Sequence, residues 1–170
     1  MAPTTATTDP FAVPAVIDAV YVNRVLAELY RIEGDVVRAV LGSRALDIQQ
    51  TAGLRAVYND PQYQTELESL PELATADTSR FKAPPGNRQA RVSLLVAAGP
   101  RCVVAATHSD FSDVVRVPPT QPPDEVDLIT LRPTQEGADP ARLNPTGWSI
   151  HDERVVPNTN LPSAETSCAR

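Results

Sequence analysis

Two histidines stand in this sequence, each with a carboxylate two positions further on: His108 with Asp110, and His151 with Glu153. Side chains two apart on an extended chain share a face. If the strands carrying these pairs lie side by side, imidazoles and carboxylates converge into an acid–base pair or a divalent-metal site. If they do not, both histidines sit near strand ends in solvent, and Asp110 and Asp113 bracket Phe111 as turn formers. Tyr21, Tyr30, Tyr58 and Tyr63 fall at helical positions, from which a hydroxyl either enters a cavity as an oxyanion donor or fills core. Tyr21, Tyr58 and Trp148 are the candidate ligand-binding residues. Arg88, Arg91 and Arg101 cluster on one expected hairpin, able to grip an anion or simply to be solvated. Ser93, Ser109 and Ser112 lie in no nucleophile-elbow sequence, neither cysteine belongs to a CxxC pair, and the seven glycines form no phosphate-cradling loop. Nucleophilic catalysis and nucleotide binding are disfavoured, and no cofactor or bound metal is expected.

Composition narrows the classes further. The 170 residues carry a net charge of -6 with no basic patch, which argues against nucleic acid as a partner. Lys82 is the only lysine, and 17 prolines accompany many Ala and Val residues, a usage typical of a high-GC bacterial genome. Cys102 and Cys168 can pair if the compartment is oxidising, closing a loop that contributes about 4 kcal/mol by chain entropy. Pairing implies export, and two free thiols imply a cytoplasmic protein. No run of apolar residues is long enough for a transmembrane segment. The stretch Met1 to Thr8 lacks the basic flank and apolar core of a signal peptide. Its Ala/Pro/Thr texture resembles the spacer after the acylated cysteine of bacterial lipoproteins, so an exported or lipid-anchored context is the expectation. A cytoplasmic chain with a disordered N-terminus is the alternative.

The elements that must position these residues fall into two halves. From Pro14 to Gly34, apolar residues such as Val16, Val20, Val25, Leu29 and Ile32 recur mainly at three- and four-residue steps, predicting an amphipathic helix capped by Asp9-Pro10. Arg24, Glu28 and Arg31 form its solvated stripe. Gly34 is expected to break the helix, leaving a short second segment from Asp35 to Leu41. Ser43 to Tyr58 is a third helix, with Leu46, Leu54, Val57 and Tyr58 inward. Asp60-Pro61 starts a fourth, ended by Pro71. After residue 90 the pattern becomes period-two and β-branched. Arg91–Ala98 and Cys102–Thr107 read as a hairpin turned by Gly99-Pro100, with a short edge over Val114–Val117. Pro118–Pro123 is an exposed loop. Glu125–Leu131 has apolar residues in both phases, which asks for a bulge or for burial on both sides. Trp148–Val156 is the last strand.

Leading helices followed by antiparallel strands, the last opened by Gly147-Trp148, resemble the cone-shaped α+β fold of the nuclear-transport-factor-two-like, or cystatin-like (SnoaL-like), superfamily. Leu131-Arg132-Pro133-Thr134 and Asn144-Pro145-Thr146-Gly147-Trp148 are similar to strings in uncharacterised exported actinobacterial proteins. The expected architecture is N-terminal helices on a curved antiparallel sheet over residues 10–156, with a flexible leader at 1–9 and a coil tail at 157–170. The resemblance implies a cone that in some members encloses an isomerase or cyclase pocket with Asp, His or Tyr as acid and base. The leading expectation is a non-catalytic extracytoplasmic module that binds a protein partner or a small apolar ligand. The alternatives are a small isomerase or cyclase using His108, Asp110 or His151, and a structural subunit of a surface or secretion assembly that makes contact through Pro118–Pro123.

Overall fold

The computed structural model describes residues 9–163 and Cys168. Three helices, α1 (Ala19–Ser43), α2 (Ile48–Val57) and α3 (Gln62–Thr75), pack on four strands, β1 (Gln89–Gly99), β2 (Cys102–Asp110), β3 (Glu125–Pro133) and β4 (Trp148–Pro157). The sheet is antiparallel in the order β1-β2-β3-β4, giving the expected α+β class. No helix among the described residues is long and apolar enough to cross a membrane. The leader lies outside the described residues except for Asp9, as does most of the tail beyond Ser163.

Local chemistry sets the helix boundaries, and several differ from the sequence expectation. The first helix begins later, at Ala19, because Asp18 rather than Asp9 caps it by accepting from the Tyr21 N–H at 2.8 Å. Asp9 instead closes a turn with Phe11. Gly34 does not break the helix, which runs on through Gly42 to an Arg44 in the left-handed region at φ 57°. The reason for glycine at 34 is close packing: a Cβ there would stand 2.2 Å from Asn87 Oδ1. The next helix starts at Ile48, where Asp47 and Gln50 form a reciprocal capping box, and Leu46 ahead of it is exposed. Pro71 does not end α3, which continues to Thr75; the proline is on the exposed side, where the helix tolerates the loss of one backbone bond.

Tyr21, Val22, Val25, Leu26, Leu29, Ile32 and Val36 make one stripe of α1, and it packs with Leu54 and Val57 of α2 on the sheet face formed by Val103, Ala105, Ile129, Leu131 and Ile150. Val104, Ala106, Val126 and Leu128, on the opposite face, are buried too, so β2 and β3 are covered on both sides. That explains the two-phase apolar pattern of β3. The irregularity in the β3–β4 ladder lies on β4: Leu131 pairs with Ile150 and Thr130 with Asp152, leaving His151 as the extra residue. Val114–Val117 forms no strand, only a bridge from Val115 to Phe81. Cys102 and Cys168 are joined by a disulfide, with Cα atoms 6.0 Å apart. β4 ends opposite Glu125, at the far end of the sheet from the β1–β2 turn, so this bond ties the end of the chain back to Cys102.

Candidate functional site

Tyr30 and Glu33 lie three residues apart on α1 and so project from one face of it. Tyr58 is held at the C-terminal end of α2, where it bridges to Ile150 and is fully buried. Its hydroxyl donates to Glu33 Oε1 at 2.9 Å. From the first turn of α3, Gln62 donates to Glu66 at 2.7 Å and accepts from the Glu153 N–H at 3.2 Å. The sheet supplies Ser109, Asp127 and Glu153, and the segment just before β1 supplies Arg88. Arg88 pairs with Glu153, lies 3.8 Å from Asp127, donates to Ser109 Oγ at 2.8 Å, and stacks its guanidinium over Tyr30 and Phe111 at 4.5 and 5.0 Å. An internal polar cluster thus occupies the end of the core away from Trp148.

The charges do not balance. Glu33, Asp127 and Glu153 face the guanidinium of Arg88, and Glu66 stands near Glu33 and Glu153. Burial therefore pushes the Glu33 carboxyl up to about 7, against the pull of Arg88 and with the help of Glu153. Glu153 is raised as well, by burial that exceeds the effect of its ion pair. Burial penalises the Arg88 charge, yet the facing oxygens of Tyr30 and Glu153 outweigh it and the group stays cationic. The Tyr30 and Tyr58 phenols are pushed well above their ordinary range, first by burial, and remain protonated donors. Tyr30 Oη and Arg88 Nε are buried without a hydrogen-bond partner.

Two spaces adjoin this cluster, and Glu33 lines both. One, of about 80 Å³, lies between α1 and the Arg88 and Phe111 side chains. The other is a cleft of about 330 Å³ between α1 and α3, walled by Val36, Val37, Leu70 and Leu73 with Glu66 and Glu72 at its sides. Ligand pockets typically run from about 300 Å³ upward, so the cleft has the size to receive a small molecule and the inner space does not.

The candidate residues read from the sequence are dispersed. His108 and Asp110 are exposed at the end of β2 while Glu153 turns inward to Arg88, so the two histidine–carboxylate pairs do not converge. His108 is exposed opposite Arg91, and Asp110 closes a turn by accepting from the Ser112 N–H at 2.7 Å. The β4 irregularity parts His151 from Glu153, sending the first into a groove beside Arg132 and the second into the cluster. Tyr21 and Trp148 are core: Trp148 Nε1 donates to the Tyr21 hydroxyl at 2.9 Å, and that hydroxyl donates to the Phe11 carbonyl at 3.0 Å. Of the tyrosine and tryptophan candidates, Tyr58 and Tyr30 reach the cluster, the first through Glu33 and the second under the Arg88 guanidinium. Arg88 is drawn inside, and Arg91 and Arg101 stand exposed at opposite ends of the hairpin, so the three arginines form no cluster. Glu33, Gln62, Glu66 and Asp127 were not singled out. The available signal was an acid at 33, off the solvated Glu28–Arg31–Asp35 stripe and three residues after a core tyrosine. Among the described residues no group of His, Cys, Asp and Glu is arranged to hold a metal ion.

Comparison with family models, with curated proteins and with solved structures finds no match to this chain.

Proposed function

We propose that this chain is a non-catalytic extracytoplasmic binding module, which receives a small ligand with an apolar body and one ammonium group in the α1–α3 cleft. The observation that carries this reading is the position of Glu33. Its carboxyl is held by Tyr58, it joins the internal cluster to the cleft, and with Glu66 and Glu72 it gives an aliphatic lining that also holds Arg80 three acids to one cation. A cation docking there offsets the burial that, with the help of Glu153, pushes the Glu33 carboxyl up, and so favours its charged form. The overall charge of -6 favours the approach of such a ligand. The disulfide supports an oxidising compartment, and the expected lipid-anchored or exported context belongs to the same reading.

The test is titration of the isotope-labelled chain with hexylammonium and with hexanol, followed by amide chemical shifts. Binding of the amine at residues of α1 and α3, weaker for hexanol and lost in Glu33→Gln, is the expected result. Equal response to both probes, or none in the cleft, overturns the reading.

One observation favours a second reading. A carboxyl near pH 7 bonded to a tyrosine hydroxyl is suited to moving a proton, as an isomerase or cyclase needs. Conversion of a cleft-bound compound into product, abolished in Glu33→Gln, replaces the binding reading with this one.

A further inference from the structure

A second concavity lies at the opposite end of the core, where the β1–β2 turn, the end of β3, the β4 irregularity and the disulfide meet. It measures about 850 Å³ and is lined by Arg101, Arg132, His151, Asn59, Gln135 and the Cys102–Cys168 bond. Three observations converge on it. First, Arg101 and Arg132 make no hydrogen bond or ion pair among the described residues, whereas Arg31, Arg38, Arg55 and Arg88 each have a carboxylate partner. Second, three residues that line this groove each carry a buried polar atom without a hydrogen-bond partner: Arg132 Nε, Asn59 Oδ1 and His151 Nδ1. A buried polar atom left unmet is unfavourable, so such atoms are rarely gathered without purpose. Third, the groove keeps its shape. Asn59 is fixed by backbone bonding to Ile150 at 2.8 Å and by donating its Nδ2 to the Pro133 carbonyl at 3.2 Å, which leaves Oδ1 turned as an acceptor. The disulfide fixes the other wall.

Acids near the groove are already engaged. Asp60 is held by both Nη groups of Arg55, and Asp152 faces Arg154 at 3.5 Å. The local balance is therefore cationic on a chain that is acidic overall. Burial and the adjacent Arg132 push the His151 imidazole down, so at neutral pH it is uncharged and can accept a hydrogen bond.

We propose that this groove binds a small organic oxyanion that carries a hydroxyl, with Arg101 and Arg132 gripping the charged oxygens and Asn59 and His151 accepting from the hydroxyl. Guanidinium groups suit carboxylate and phosphate alike, because their forked donors match paired oxygens. The acceptors add what a bare anion cannot use. This site is separate from the α1–α3 cleft and stands whether or not that cleft binds an amine.

The experiment is an amide chemical-shift titration of the full disulfide-bonded chain with four probes: glycerol 3-phosphate, malate, methyl phosphate and glycerol. Shifts at Gly99 to Cys102 and at His151 with glycerol 3-phosphate or malate are expected, and the stronger of the two tells a phosphate source from a carboxylate source. Methyl phosphate binds more weakly for want of the hydroxyl, and glycerol leaves the groove unshifted. Arg101→Gln, at an exposed position that the fold does not need, weakens binding by about tenfold. Arg132→Gln does the same, and Arg101→Gln decides alone should the buried substitution fail to fold. No shift at these residues with any anion, or an affinity unchanged in Arg101→Gln, overturns the proposal.

Discussion

The Tyr58 hydroxyl donates to Glu33 Oε1 at 2.9 Å, across 25 residues of sequence, and so joins the end of α2 to the middle of α1 at the edge of a buried ion cluster. Because burial holds the Glu33 carboxyl near 7, the folded chain keeps a proton there that the unfolded chain releases near its ordinary value of 4.5. Folding is therefore favoured by this group at low pH, and the advantage is lost as pH rises through 7, a change of up to about 3 kcal/mol. His151 acts in the opposite sense: its lowered value makes the folded state gain stability as pH rises past the ordinary imidazole range. Glu33→Gln isolates the first effect. Urea midpoints measured from pH 5 to pH 8 are expected to fall less with pH in that variant than in the parent, the remaining slope combining Glu153, which acts in the same sense as Glu33, with the opposing His151.

Arg88 is the sole cation inside the cluster. Removing it in Arg88→Met leaves Glu153 and Asp127 buried without compensation, at an expected cost of about 3–5 kcal/mol. Replacing the pair together, as Arg88→Met with Glu153→Met, recovers a large part of that loss. Chemical denaturation of the two single variants and the double variant gives the coupling; a double variant as unstable as the sum of the singles contradicts the ion-pair account.

Two glycines of α1 are expected to respond in opposite directions to alanine. Nothing lies within 4 Å of the Cβ that Gly42→Ala introduces, so helix propensity should stabilise the chain by up to about 1 kcal/mol. Gly34→Ala drives a methyl into Asn87, whose Oδ1 accepts from Arg38 Nη1 at 2.9 Å, and should cost about 1–3 kcal/mol despite the same propensity gain. Thermal melting of both variants checks the sign.

The Cys102–Cys168 bond closes a sequence separation of 66, for which chain entropy gives about 4 kcal/mol at most. Cys168→Ser, or reduction of the parent, is expected to lower the denaturation midpoint by an amount within that bound. Mass after alkylation, with and without reductant, should show both thiols protected only in the oxidised chain. Two thiols that alkylate freely without reductant remove the main support for an extracytoplasmic setting.

Much of the architecture was written in the residue order. The three-and-four spacing from Val22 to Ile32, the Asp60-Pro61 start before α3, and the period-two runs after residue 90 specify helices followed by an antiparallel sheet, because each depends on neighbours a few residues apart. Val16, by contrast, precedes α1, Val20 is exposed on it, and Asp47 rather than Ser43 caps α2. The two-phase apolar pattern of Glu125–Leu131 allowed a bulge or burial on both faces, and the second is what the strand shows. The cysteine pairing was legible as one of two outcomes, a bridge or two free thiols, because two cysteines allow a single bridge while their spacing does not show whether the Cα atoms come within reach. What sequence alone did not decide is which distant groups meet. Gly34 looks like a break and is a packing contact with Asn87; His151 and Glu153 look like one face and are parted by a single extra residue in the ladder. Arg88 looks like part of an exposed basic hairpin and is drawn between Tyr30 and Phe111 by carboxylates contributed by three other elements. Local spacing fixes periodicity and caps, whereas register, bulges and charge compensation are settled only when the sheet closes against α1, since each is a sum over residues tens of positions apart.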